Sequence, residues 1–219
     1  HSETQGYADV HLIDRLHEAV NRINPNIPLE AREEAIKKVL RNESPELVDN
    51  NHRFHKMLVD GIDVEYREKD VKYDKVWLVD FKNPENNEFL AVNQFTIIEG
   101  RNNRRPDIII FVNGLPLVVI ELKNPADENA TVNTAFNQFE TYKFQIPSLF
   151  NYNEVLVISD GIEAKAGTIS SLWERFLPWK TIDGITKAPA SAPQIEVLLK
   201  GMFEKHIFLD LIRHFIVYE

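Results

Sequence analysis

The alternation of apolar and polar residues predicts a helical beginning, a strand-rich middle and a helical end. Apolar residues recur every three to four positions through three successive segments. These segments are residues 10–23, 29–40 and 45–59. The third follows Ser44, a residue type that caps helices, and places Pro45 at the first helical position. We therefore expect residues 1–60 to form an N-terminal helical segment.

From Gly61 onward the pattern shortens to the period of β-strands. Strands are predicted over residues 63–67, 76–81, 89–98, 108–112, 117–120, 155–159 and 164–169. A helical pattern over residues 128–145 separates the fifth strand from the sixth, an order that is typical of a parallel crossover. The pattern predicts an α/β core over residues 61–182, with a mixed central sheet flanked by helices. A linker and two helices broken near Gly201 are expected over residues 183–219.

A hairpin in the middle of the chain carries the most informative polar residues. Asn113-Gly114 favours a tight turn, because both residues tolerate positive φ. A three-residue loop that includes Leu115 sets Asp107 opposite Glu121, whereas a two-residue loop sets Asp107 opposite an isoleucine. We favour the three-residue loop. The two carboxylates would then lie about 5 Å apart at Cβ.

Paired carboxylates at a strand end repel each other unless a cation lies between them. Asp107 and Glu121 offer the hard oxygen ligands that Mg²⁺ prefers. Lys123 lies two residues after Glu121, so both side chains point to the same face of the strand. Its ammonium group is suited to hold a phosphate or a hydroxide. The alternative is an ordinary charged strand end, with a surface aspartate and a local Glu–Lys pair.

Three further groups of polar residues admit both a functional and a structural interpretation. Arg104 and Arg105 precede the hairpin and are suited to contact phosphates, or they form part of a solubilising loop. Gln138 and Tyr142 share one helix face, which either leans over the carboxylates or forms an ordinary helix surface. His52 and His55 have helical spacing but no third His or Cys nearby, which favours solvated or hydrogen-bonded histidines.

Composition narrows the classes of function. The chain has 219 residues and a net charge of −9, which argues against a freestanding, high-affinity nucleic-acid binder. A catalytic module that other subunits deliver to DNA remains compatible with that charge. Cysteine is absent, which excludes disulfides and thiolate chemistry and fits a cytoplasmic protein. No run reaches the roughly 18 apolar residues of a membrane span, so no membrane partner is expected.

Several long blocks of the chain resemble the nuclease region of the restriction (R) subunit of type I restriction-modification enzymes. The blocks read NQFTIIEGRNNRRPDIIIFVNGLPLVVIELKNPADENATVNTAFNQFETYK, WERFLPWKT, LIRHFIVYE and ESPELVDNNHRFHKMLVDGIDVEY. The resemblance implies a PD-(D/E)xK restriction-endonuclease-like core. In that core Asp107 and Glu121 resemble the metal-binding carboxylates, and Lys123 resembles the lysine of the motif. Gln138 and Tyr142 match the Q-x-x-x-Y element that follows the motif.

The same resemblance implies a function, a cofactor and partners. It implies hydrolysis of double-stranded DNA with Mg²⁺, or Mn²⁺ in its place, without sequence specificity in this chain. Methyltransferase and specificity subunits would be its partners. Full subunits also contain an ATP-driven motor, which needs a G-x-x-x-x-G-K-[ST] loop that this chain lacks. The chain is therefore expected to be an N-terminal part without an ATP site. An upstream acidic residue often completes such a metal site, and Glu18 is a candidate for it.

Two other functions stay open at this point. The chain could be a docking module that couples the motor to the methyltransferase core and is inactive alone. It could instead be another PD-(D/E)xK enzyme, such as a repair nuclease or a junction resolvase.

Overall fold

Helices and strands follow one another along residues 9–67, 69–124 and 132–218, which are the residues that the computed structural model describes. The helices are α1 Ile13–Ile23, α2 Leu29–Leu40, α3 Leu47–Asp60, α4 Val132–Gln145, the single turn α5 Pro147–Phe150, α6 Gln194–Gly201 and α7 Lys205–Phe215. The strands are β1 Ile62–Arg67, β2 Val71–Val76, β3 Phe89–Asn93, β4 Ile97–Glu99, β5 Asn102–Arg104, β6 Ile108–Val112, β7 Leu115–Leu122, β8 Val155–Ser159 and β9 Ala164–Gly167.

A five-stranded mixed sheet with the order β3-β6-β7-β8-β9 forms the centre of the fold. β7 and β8 run parallel, and the other neighbouring pairs are antiparallel. Seven consecutive residues of β7, from Leu115 to Glu121, are buried, which explains its nearly continuous apolar run. The predicted α/β architecture with a mixed central sheet and flanking helices is confirmed. None of the described helices is both long and apolar enough to cross a membrane.

Helices cover the sheet and share one apolar core with it. α4 packs on β7 and β8, as the predicted crossover requires. The start of α1 packs on the β6–β7 turn, where the backbone N–H of Leu12 donates to the carbonyl of Gly114 at 2.9 Å. Gly114 has φ +81°, and a Cβ at this position would lie 2.4 Å from the Leu12 carbonyl oxygen. Only glycine therefore lets the helix approach the turn this closely.

The register of the β6–β7 hairpin corrects the predicted loop. Val112 pairs with Leu115, so the loop has two residues and the three-residue prediction is wrong. The register then shifts by one at a β-bulge between Phe111 and Ile110, where Leu117 is the extra residue of β7. Beyond the bulge Ile108 pairs with Ile120, which is the last pair of the ladder, and the same register continued by one residue would set Asp107 opposite Glu121. This register agrees with the predicted pairing of Asp107 and Glu121, which lies one step beyond the ladder and stays a prediction, and the bulge rather than the loop produces the register.

Other differences concern element boundaries. The predicted strand 76–81 is wrong, because β2 ends at Val76 and the buried residues that follow it belong to no ladder. The predicted strand 89–98 is two strands, β3 and β4, interrupted at Gln94. The predicted loop before the hairpin contains β5, which pairs with β4. The break near Gly201 is confirmed. Residues 128–131 of the predicted crossover helix lie outside the described residues.

Candidate active site

Asp107 lies one residue before β6, and donors from the two neighbouring strands hold its carboxylate. Gln94 Nε2 donates to Oδ1 at 2.9 Å. On the other side the backbone N–H of Leu122 donates to Oδ2 at 2.8 Å. The side chain is half-buried, so it stays accessible from solvent. The hairpin register and these two bonds together place the carboxylate at the C-terminal end of β7.

Glu121 is the last buried residue of β7, with 5% of its surface exposed. Its Oε1 accepts a hydrogen bond from Lys123 Nζ at 2.9 Å. Its Oε2 is buried and has no hydrogen-bond partner among the described residues. Burial raises the pKa of Glu121, the hydrogen bond from Lys123 opposes that shift, and the charge of Asp107 adds to it. The glutamate is thus held beside one cation and one anion, with a free oxygen.

Tyr142 on α4 lies within the electrostatic reach of both carboxylates. Burial, followed by the charge of Glu121, raises the pKa of Tyr142 to about 12. A hydrogen bond from Gln138 and the charge of Arg104 act in the opposite direction. The structure therefore brings Gln138, Tyr142 and the carboxylates into one neighbourhood, as the shared helix face suggested. At neutral pH the Tyr142 hydroxyl keeps its proton and remains able to donate a hydrogen bond.

The two arginines before the hairpin occupy different environments. Arg104 ends β5 and is half-buried, and its Nε donates to Gln145 Oε1 at 2.5 Å at the end of α4. Arg105 is exposed. The β4–β5 hairpin is also fastened to the same helix end, because Asn102 Nδ2 donates to the Gln145 carbonyl at 3.1 Å. This arrangement holds Arg104 within electrostatic reach of Tyr142. A role for either arginine in DNA contact stays a prediction.

The donor set fits a hard divalent cation. An orphan buried oxygen on Glu121 next to the Asp107 carboxylate leaves a concentration of negative charge that a cation would satisfy. Among residues 9–67, 69–124 and 132–218, no group of three or more His, Cys, Asp or Glu side chains could hold a metal ion. A cation here would therefore rest on two carboxylates and complete its shell with a backbone carbonyl oxygen and water, an arrangement that Mg²⁺ tolerates.

Other predicted residues lie elsewhere. Glu18 is exposed on α1, and that helix begins at the hairpin turn, at the end of the hairpin opposite Asp107. It does not complete this site. His55 Nδ1 lies 2.8 Å from Glu154 Oε2, and His52 stacks on Tyr218 with ring centroids 4.4 Å apart. Both histidines therefore have structural partners, as the pattern favoured.

Gln94 is the residue that the sequence analysis missed. It interrupts the predicted strand 89–98 with φ +52° and places its amide on Asp107. A polar residue within an otherwise strand-like pattern was a signal for an interruption there. Nothing in the local pattern indicated which side chain its amide would contact, because Asp107 belongs to a different strand.

Comparisons with known proteins agree with the resemblance. Residues 1–175 match the family model of the type I restriction enzyme R protein N terminus. The HindI endonuclease subunit of a type I restriction enzyme from Haemophilus influenzae is 44% identical over 94% of this chain and 20% of its own length. A Methanocaldococcus jannaschii protein, provisionally assigned as the MjaIXP endonuclease subunit of a type I restriction enzyme, is 32% identical over 100% of this chain and 23% of its own length. The chain thus spans about a fifth of the length of these relatives. It belongs to the family of type I restriction enzyme R proteins, the endonuclease subunits, and corresponds to their N-terminal region.

Proposed function

We propose that this chain is the nuclease region of a type I restriction enzyme and hydrolyses phosphodiester bonds of double-stranded DNA with Mg²⁺, or with Mn²⁺ in its place. One observation carries the proposal. Within the described part of the chain the buried Glu121 Oε2 has no hydrogen-bond partner, and Asp107, one residue beyond the last pair of the hairpin ladder, is close enough for its charge to act on Glu121. Two carboxylates in this arrangement call for a cation, and the family membership supplies the reaction class.

Asp107 and Glu121 would hold the metal, together with a backbone carbonyl oxygen such as that of Leu122. When bound, the metal would polarise the scissile phosphate and lower the pKa of a water molecule. Lys123 now donates to Glu121 Oε1, and a cation on that carboxylate would compete with it. Its ammonium group would then be free to hold the attacking hydroxide or the charge that develops on the phosphate.

Residues of α4 and the two arginines before the hairpin would orient the substrate. Tyr142 keeps its proton at neutral pH, since its pKa is about 12, and can donate a hydrogen bond to a phosphate or a metal-bound water. Gln138 would fix that hydroxyl. Arg104 and Arg105 would contact DNA phosphates beside the hairpin, which would position the duplex without reading its bases.

The proposal extends to the assembly. No base-reading motif is visible, so DNA recognition would come from a separate specificity subunit, with a methyltransferase as the other partner. Residues 61–182 would form the nuclease core, behind the helical segment of residues 1–60. Residues 183–219 would lead toward the ATP-driven motor of the complete subunit. Such a DNA-cleaving assembly would act in the cytoplasm.

Nicking of supercoiled plasmid in the presence of Mg²⁺ or Mn²⁺, at high protein concentration, tests the proposal. The unmodified chain should nick the plasmid, and Asp107→Ala and Lys123→Ala should each abolish nicking. Glu18→Ala serves as the matched control and should nick normally, because Glu18 is exposed on α1 at the other end of the hairpin. Nicking that survives in Asp107→Ala would contradict the assignment of the site.

A second function is favoured by the charge of −9, which weakens binding to DNA. The chain would then act as a docking module that couples the motor to the methyltransferase core and would be inactive alone. Absence of both nicking and metal binding in the unmodified chain would favour this function. A preference for branched over linear DNA would instead indicate a repair nuclease or a resolvase, which the family membership makes the weaker alternative.

A further inference from the structure

Gln94 adopts a backbone conformation that non-glycine residues rarely adopt. Its φ is +52°, in the left-handed region, which is strained for a residue with a side chain. β3 ends at Asn93, which pairs with Ile108, so Gln94 stands directly across from Asp107. Its backbone N–H still donates to the Asp107 carbonyl at 2.9 Å. The strand therefore bends at the position that faces the proposed metal ligand.

The bend directs the Gln94 side chain back onto the same residue. Nε2 donates to Asp107 Oδ1 at 2.9 Å, while the Leu122 N–H donates to Oδ2 at 2.8 Å. Each carboxylate oxygen is thus held by a donor from a different neighbouring strand. A carboxylate rotates over a broad range about its terminal torsion unless such bonds hold it. Two held oxygens still keep lone pairs for a cation.

We propose that Gln94 is a positioning residue that orients the Asp107 carboxylate for metal binding. Without the amide, the charge of Glu121 across the hairpin would turn the Asp107 carboxylate away, and the pair would no longer present a ready cation site. The bent backbone is the cost of placing this donor. The inference rests on the proposed function, because it assigns Gln94 a role at the metal site proposed there.

Calorimetric titration of the whole chain with Mg²⁺ and, separately, with Ca²⁺ tests the proposal. Gln94→Met keeps the length of the side chain and the backbone conformation but cannot donate. Gln94→Gly also removes the amide but relieves the positive φ. Both variants should bind Mg²⁺ about 10- to 100-fold more weakly, the usual effect of losing an orienting partner. Ca²⁺ should lose less affinity, because Mg²⁺ demands a more regular ligand geometry.

Two reference variants distinguish the possible failures. Asp107→Asn should lose binding of both metals, and Asn93→Ala, at the neighbouring exposed position, should bind as the unmodified chain does. If Asp107→Asn loses binding and Gln94→Met does not, the positioning role is overturned while the proposed function stands. If the unmodified chain binds no metal, both are overturned. If Gln94→Met loses Mg²⁺ and Ca²⁺ equally and also unfolds at lower urea, Gln94 is merely structural and the inference fails.

Discussion

Two buried glutamates lie near opposite ends of the central parallel strand pair, and they resemble each other in isolation. Glu121 ends the buried run of β7, and Glu154 lies just before β8. Each has one oxygen with a hydrogen bond and another, Glu121 Oε2 or Glu154 Oε1, without a partner among the described residues. Burial raises the pKa of both carboxyl groups. Neither burial nor an orphan oxygen therefore distinguishes a functional carboxylate from a structural one.

Their neighbours differ. Glu154 contacts His55 at 2.8 Å, and both side chains are almost completely buried, at 0% and 8% exposure. Tyr218 closes this cluster, since its ring lies 5.2 Å from that of His55. Glu121 instead lies within the electrostatic reach of a second carboxylate, Asp107, which is half-buried and reachable from solvent. Glu154 is enclosed by side chains of the protein, whereas Glu121, although it accepts a hydrogen bond from Lys123, also lies beside a second negative charge. That difference is the reason for proposing Glu121, rather than Glu154, as a ligand of an external cation.

The largest expected effect separates the two glutamates by substitution with their neutral isostere. Glu121→Gln should lower Mg²⁺ affinity and plasmid cleavage by about 100-fold or more, because it removes a proposed metal ligand outright rather than an orienting partner. Glu154→Gln is the matched control and should retain metal affinity, because Glu154 lies at the other end of the parallel strand pair. Calorimetry and plasmid nicking measure affinity and cleavage in both variants. Equal loss of metal affinity in the two variants would break the comparison.

Substitution of Lys123 provides the next test, since it should change the rate of cleavage without lowering metal affinity. Lys123→Met should lower cleavage by about 10²- to 10³-fold, the usual cost of one transition-state donor. Metal affinity should be retained or should rise, because Glu121 Oε1 loses the ammonium group that competes with a cation. Single-turnover nicking at saturating Mg²⁺, beside calorimetry of the same variant, measures the two quantities separately. A parallel loss of both would make Lys123 part of the metal site itself.

The candidate site was far more predictable from the sequence than the cluster of Glu154, His55 and Tyr218. Asp107, Glu121 and Lys123 belong to one hairpin, so local patterns and a turn signal bring them together. The two-residue loop with its bulge at Leu117 could not be foreseen, because Asn113-Gly114 is compatible with either loop and the bulge depends on packing. The wrong loop led to the same register, since the bulge supplies the extra residue that the loop was expected to contain.

No local sequence pattern indicated the contacts of the Glu154 cluster. Its members come from α3, the start of β8 and the segment after α7, which only the tertiary fold brings together. Gln94 is similar, because its bend and its contact with Asp107 cross between strands. Sequence patterns therefore predicted residues that share a hairpin or a helix face, and they missed contacts that depend on how separate elements pack.

The pH dependence of stability provides a smaller effect that also distinguishes Glu121 from Glu154. Burial raises the pKa of Glu121 above its ordinary value of 4.5, so the folded protein holds this proton more tightly than the unfolded chain does. The free energy of unfolding should therefore fall as pH rises from 4.5 through the raised pKa, and it should stay lower above it. Glu121→Gln should remove this loss, so its advantage over the unmodified chain should appear near neutral pH and vanish below pH 4.5.

Added Mg²⁺ should act on only one of the two glutamates. Mg²⁺ bound at the proposed site would stabilise the ionised form of Glu121. Saturating Mg²⁺ should therefore cancel the loss of unfolding free energy that Glu121 causes at neutral pH. Burial also raises the pKa of Glu154, which causes a similar loss of unfolding free energy at neutral pH. This loss should persist in Mg²⁺, because His55 and Tyr218 cover Glu154. Urea unfolding from pH 4 to 7.5, with and without Mg²⁺, measures both contributions. We expect Mg²⁺ to change the pH dependence of the unfolding free energy as strongly in Glu154→Gln as in the unmodified chain.

The smallest expected effect comes from Tyr218, which closes the structural cluster. Its hydroxyl donates to Asn51 Oδ1 at 2.5 Å, and its ring stacks on His52. Tyr218→Phe keeps the ring and loses the hydroxyl, so it should cost about 1 kcal/mol of unfolding free energy. Metal affinity and plasmid cleavage should not change, because the cluster lies at the end of β8 remote from Asp107. If this variant lowered metal affinity with the fold intact, the two carboxylate regions would be coupled through the sheet, and the closed cluster would be part of the functional site.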